Sequence, residues 1–147
     1  RSGRAFAVML LDIDHFKSLN DQYGHDAGDQ VLRAFARTVE NSIRKIDSLG
    51  RWGGEEFMVI VGDADQTDLK AMGEKILARV AECSVVHRGH TLGVTASMGI
   101  ARWAGGSFDP LVSKADTALY RAKDTGRNRL VMADELSDRA TSGHSGT

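Results

Sequence analysis

Apolar residues run without a break from Phe6 to Leu11 and give way to Asp12-Ile13-Asp14. A run this continuous predicts a central strand over 6–14, buried on both faces and ending in acids. Between Asp26 and Ile43, Val31, Leu32, Phe35, Val39 and Ile43 recur at helical spacing and predict an amphipathic helix. The stretches 47–52 and 55–61 flank Gly53-Gly54, which predicts a β-hairpin whose glycines supply the positive φ of a tight turn. Leu69, Met72, Ile76, Leu77 and Val80 mark a helix over 68–82. The β-branched stretches 85–87 and 91–101 predict a second hairpin about Arg88-Gly89-His90. Phe108-Asp109-Pro110 reads as a turn before a helix over 111–123, which Gly126 ends, and 130–132 as a closing strand. The order β, α, hairpin, α, hairpin, α, β predicts an α/β chain of α+β sandwich type, with one sheet flanked by helices.

Length and composition narrow this further. The 147 residues suit one domain, expected over 1–133, followed by a polar, disordered tail over 134–147. Nineteen basic and twenty acidic residues leave a net charge of −1, so no general positive field favours DNA, RNA or an anionic membrane, and phosphate recognition has to be local. The single cysteine, Cys83, excludes an internal disulfide and fits a reducing, cytoplasmic setting. The abrupt start before the first strand reads as a fragment of a longer protein, whose full length could be membrane-anchored.

The candidate chemistry lies in acids. Asp12 and Asp14 end one strand, and Glu55 and Glu56 follow the Gly-Gly turn of a hairpin expected beside it. Alternation along a strand puts Asp12 with Asp14 on one face, and Glu55 with Phe57 on the face opposite Glu56. Two carboxylates ~4 Å apart at an effective dielectric of ~20 repel by roughly 4 kcal/mol, so such a cluster calls for a cation, a proton or separation. Oxygen ligands of this kind suit Mg2+ or Mn2+ working on a polyphosphate. The bland alternative is that acids at strand ends simply face solvent.

Gly53-Gly54-Glu55-Glu56-Phe57 also resembles the signature of the GGDEF family of diguanylate cyclases, in its Gly-Gly-Glu-Glu-Phe form. Asp12-Ile-Asp-His-Phe-Lys17, Asn20-Asp21, Gly24-His25-Asp26-Ala-Gly-Asp29, Val94-Thr-Ala-Ser97-Met-Gly99, Ala115-Asp116-Thr-Ala-Leu-Tyr120-Arg-Ala-Lys123 and Gly126-Arg-Asn-Arg129 resemble further family blocks in the family order. Together they span about residues 5–132. The resemblance implies a palm-like nucleotidyl cyclase fold, with a mostly antiparallel central sheet and the motif on a hairpin. It also implies an enzyme that joins two GTP molecules into cyclic di-GMP across a homodimer.

The resemblance further implies roles for residues. Asp12, Glu55 and the carbonyl of Ile13 would hold two Mg2+ or Mn2+ ions per active site, and Glu55 would accept the 3′-hydroxyl proton. Glu56 would support metal or ribose, and Gly53 and Gly54 would let the hairpin approach the nucleotide. Asn20 and Asp29 would read guanine, with His25 a further substrate contact. The backbone amides of Phe16 and Lys17 and the side chains of Lys123 and Arg127 would grip the triphosphate. Arg44 and Asp47 match an R-x-x-D inhibitory site for the product. The family's Asp-x-Leu-Thr lead-in before the first strand is missing, and an upstream sensor or dimerisation domain is expected outside this chain. The rival reading is a receptor that binds cyclic di-GMP through Arg44 and Asp47 without catalysis.

Overall fold

The computed structural model describes residues 6–133; the expected tail over 134–147 lies outside them. The elements are β1 (Phe6–Ile13), α1 (Phe16–Tyr23), α2 (His25–Glu40), β2 (Ser48–Arg51), β3 (Glu56–Gly62), α3 (Gln66–Glu82), β4 (Ser84–His87), β5 (His90–Gly93), β6 (Ala96–Arg102), α4 (Phe108–Asp124) and β7 (Leu130–Met132). A five-stranded sheet runs in the order β2-β3-β1-β6-β7. It is antiparallel except for β6 with β7. The mixed α/β architecture, a central sheet flanked by helices, is the one expected.

β1 is central because it is apolar on both faces. Ala7, Met9, Leu11 and Ile13 enter one core with Val31, Phe35, Ile76 and Val80 from α2 and α3. Val8 and Leu10 enter a second core with Leu111, Ala115, Ala118 and Leu119 from α4. Helices therefore cover both faces of the sheet. On the α4 side the approach is close, since a Cβ at Gly99 would lie 2.1 Å from the Ala115 carbonyl oxygen and 2.3 Å from the Leu119 nitrogen. Together with Ala115, Ala118 and Ala122, Gly99 seats α4 on β6 and carries its C-terminal turn over the end of β1.

Three expectations are corrected. The stretch 91–101 is two strands, and β4 with β5 forms a separate two-stranded sheet rather than joining the main one. The break falls at Val94-Thr95, where the Thr95 carbonyl accepts from the Asp14 amide at 2.9 Å. Phe108-Asp109-Pro110 is the first turn of α4 and not a separate turn. Proline is tolerated there because amides of the first turn have no intrahelical acceptor. Helix α1, with Phe16 and Leu19 buried, was not expected at all. No helix among the described residues is long and apolar enough to cross a membrane.

Candidate active site

Antiparallel register brings the acids together. Asp12 on β1 lies directly opposite Glu56 on β3 and Ser97 on β6, and the Ile13 amide donates to the Glu55 carbonyl at 3.3 Å. Asp12 is buried and ion-paired through Oδ2 to Nζ of Lys123, which α4 delivers from above. Its other oxygen, Oδ1, is buried and accepts no hydrogen bond. The Glu55 carboxyl is held above its ordinary pKa, first by burial, then by the adjacent Asp12 charge and by a hydrogen bond to Asp12 that forms only while Glu55 keeps its proton; Lys123 opposes the rise and Glu56 adds to it. Glu55 was expected to face away from Glu56, yet the two lie close enough for the Glu56 charge to act on the Glu55 carboxyl. Glu55 precedes the first residue of β3, so strand alternation does not govern it.

Asp14 has a different task. It accepts from Thr95 Oγ1 and Ser97 Oγ, both at 2.6 Å, and from the Asn128 amide at 3.0 Å. These bonds commit its carboxylate to tying the end of β1, the start of β6 and the loop after α4. Residues 126–128 in that loop all have positive φ, at 131°, 62° and 48°. The Gly126 amide bonds the Lys123 carbonyl at 3.4 Å and the Arg127 amide bonds the Ala122 carbonyl at 2.9 Å, the two bonds of a Schellman ending that favours glycine at position 126. Arg127 and Asn128 are non-glycine residues in the sparsely populated left-handed region, Arg127 held by its amide's bond to Ala122 and Asn128 by its amide's bond to Asp14. The sequence pointed to Arg127 but not to Thr95 and Asn128, whose service to Asp14 shows only once the strands are paired.

The hairpin loop corrects the turn expected there. Four residues, 52–55, separate β2 from β3, and neither Gly53 nor Gly54 has positive φ. A loop of this length needs no left-handed pair at its centre. The Glu56 carbonyl accepts from the amides of Trp52 at 2.7 Å and Gly53 at 3.1 Å, and Arg51 Nε donates to the Gly53 and Gly54 carbonyls at 3.2 and 3.1 Å. A Cβ at Gly54 would meet nothing within 4 Å, so its face of the loop is open.

Phe16 and Lys17 begin α1 immediately after left-handed His15, which offers no side-chain cap. Their amides are the uncapped donors of a helix N-terminus, a setting that favours anions. Asn20, further along α1, packs on Gly28 of α2, next in the chain to exposed Asp29. His25, exposed, is the first residue of α2.

Arg44 and Asp47 stand apart, in the turn between α2 and β2. Arg44 holds buried Asp47 with Nε and Nη2, each at 3.0 Å, and Asp47 also accepts from the amides of Arg44 at 2.9 Å and Gly62 at 3.2 Å. Arg44 Nη2 donates to the Gly62 carbonyl as well. Burial alone would raise the Asp47 pKa, but the hydrogen bonds from Arg44 and Gly62 outweigh it and leave the carboxyl below its ordinary value.

A divalent cation fits the Asp12 cluster. An orphaned carboxylate oxygen and a neighbouring glutamate resisting ionisation are both relieved by positive charge. Among the described residues no group of three or more His, Cys, Asp or Glu side chains forms a ready metal cage. A cation held here would take one or two protein carboxylates and complete its shell with water and phosphate. Asp12 and Glu55 are the acids that could hold it.

The family model for the diguanylate cyclase GGDEF domain matches residues 1–129. The diguanylate cyclase DgcM of Escherichia coli K12 is 42% identical over 129 residues, 87% of this chain and 31% of that protein. The GGDEF domain of DgcB from Caulobacter crescentus, solved in complex with c-di-GMP, superposes with a TM-score of 0.86 at 34% identity, covering 90% of this chain and 80% of that one. Diguanylate cyclase SiaD from Pseudomonas aeruginosa, solved with its activator SiaC, superposes with a TM-score of 0.87 at 38% identity, covering 90% and 51%. The chain spans between 20% and 37% of the length of the first curated relatives it matches. With its acids at the end of β1, its Gly-Gly-Glu-Glu-Phe hairpin and these matches over nearly the whole described fold, the chain belongs to the GGDEF family of diguanylate cyclase domains.

Proposed function

We propose that this chain is the catalytic domain of a GTP-specific diguanylate cyclase, condensing two GTP into cyclic di-GMP and two pyrophosphates. The observation that carries the reading is the Asp12–Glu55 pair, short of positive charge despite Lys123, beside the uncapped start of α1. Glu55 takes the proton of a 3′-hydroxyl as its oxygen bonds to the α-phosphorus of the second GTP and the bond to pyrophosphate breaks. A carboxylate whose pKa is raised is a stronger base for that transfer. Bound Mg2+ or Mn2+, two per site, would supply charge to the attacking oxygen and the α-phosphoryl group. The amides of Phe16 and Lys17 hold the triphosphate, and Arg127 adds charge beside them. With a cation held at Asp12, Lys123 would be free to turn to the triphosphate.

An ionised Asp29 accepts from guanine N1 and N2 donors, which adenine does not present in that arrangement, so GTP is favoured over ATP. Asn20 and His25 complete the base and substrate contacts, and Glu56 supports ribose or metal. Each protomer carries one GTP, and two protomers face each other so that each 3′-oxygen reaches the other's α-phosphorus. Arg44 and Asp47 form a product site, the reading supported by relatives solved with c-di-GMP. Product binding there requires Arg44 to release part of its hold on Asp47. The upstream partner is a sensor or dimerisation domain, in keeping with relatives about three times as long.

Incubation with GTP and Mg2+ tests the reading. Cyclic di-GMP and pyrophosphate should form with the parent chain and not with Asp12→Ala. Product binding without any turnover would favour the receptor reading instead. Arg44→Ala should keep turnover and lose product inhibition; full inhibition in that variant would remove the second site.

A further inference from the structure

We infer that Gly28 is a positioning residue for base recognition, acting by leaving room for the Asn20 carboxamide between α1 and α2. The inference rests on the proposal that Asn20 reads guanine. Asn20 Oδ1 is buried and has no hydrogen-bond partner. The amide is held by shape and not by a bond, so its aim depends on what it packs against. That surface is the bare backbone of Gly28: a Cβ there would fall 1.7 Å from Asn20 Oδ1, 2.8 Å from its Cγ and 3.1 Å from Phe16 Cζ.

Backbone conformation does not explain this glycine. Gly28 lies inside the first turns of α2, its amide bonded to the Gly24 carbonyl at 3.2 Å, and its φ is not positive. Alanine would fit that backbone and is the better helix former. What alanine cannot do is share the space with Asn20. A methyl group at 28 forces the amide out of its seat and presses on Phe16, whose own amide begins the anion-binding turn. Asp29 follows directly, so both guanine-reading groups are referenced to one point on α2.

The test is a double-mutant cycle in the full chain, read by the Kd for 3′-deoxy-GTP with Mg2+, a probe lacking the attacking hydroxyl, and by Tm. Gly28→Ala should weaken binding about tenfold, the scale of one lost hydrogen bond to the base, without lowering Tm. Asn20→Ala should weaken it to a similar degree. The double variant should bind like Asn20→Ala alone, because removing the amide removes the clash. If Gly28→Ala fails to fold, the double variant must still fold and bind like Asn20→Ala. Unchanged binding by Gly28→Ala beside weakened binding by Asn20→Ala overturns the inference alone, as do losses that multiply in the double variant. Unchanged binding by Asn20→Ala overturns the guanine reading and the inference with it.

Discussion

Glu55 sits in the fold at a cost in stability. Its carboxyl ionises with difficulty because it is part-buried beside Asp12, so the folded state holds its proton to a higher pH than the unfolded chain does. Stability therefore falls as pH rises from the ordinary glutamate range through the raised folded value. Glu55→Gln removes that loss. With a chelator present, the variant should melt above the parent at pH 7, the gap closing as pH falls below about 4, while turnover with GTP and Mg2+ disappears. A lower Tm at pH 7 would mean that Glu55 is tied into the fold by bonds and is not held there against repulsion. The types of the acids were legible in the sequence, and so was their closeness to one strand end. Strand alternation alone does not divide their labour, since it puts Asp12 and Asp14 on one face; only the family resemblance singled out Asp12 for metal. Asp14 becomes a tie only through Thr95, Ser97 and Asn128, residues up to 114 positions away in the chain.

Among the elements, the long runs read clearly and the junctions did not. The apolar run of β1 and the helical spacing of α2 and α3 give the core directly, because burial on two faces or one stripe leaves a periodic trace. The stretch 91–101 hides a change of sheet, since β-branched residues favour strands wherever they pair: β5 buries only Leu92, whereas β6 is buried from Ala96 to Ala101. Helix α1 escaped because its eight residues bury only Phe16 and Leu19, too few for a period to show. The turn holding Arg44 and Asp47 makes its own prediction. Asp47 is held below its ordinary pKa of 3.8, so its stabilisation is complete above that value and is lost as pH falls through the lower folded one. Asp47→Asn should cost about 1–2 kcal/mol at pH 7, the range for a buried acceptor whose charged partner is left behind. Thermal melts from pH 7 to pH 2 should show the two proteins converging at the acid end. A constant difference would assign the loss to packing and not to charge.

For the whole molecule, α4 joins site to sheet. Its seat on Gly99 fixes the height at which Lys123 meets Asp12, and its Schellman ending turns the chain back to where Asn128 bonds Asp14. The cation-poor cluster, the open hairpin loop and the start of α1 thus belong to one end of one sheet, with Asn20 and Asp29, the groups proposed to read guanine, on the α1–α2 side. Under the function proposed above, each site holds one GTP, and ring closure between two GTP molecules calls for a second copy of the chain. Turnover of GTP with Mg2+, followed over a wide range of protein concentration with both products counted, decides between catalysis by paired chains and its alternatives. Two pyrophosphates should appear for each cyclic di-GMP, with a rate per chain that climbs steeply with concentration and fades on dilution. A rate per chain independent of dilution would contradict the shared-site mechanism, and cyclic di-GMP bound without any consumption of GTP at high concentration would contradict catalysis itself.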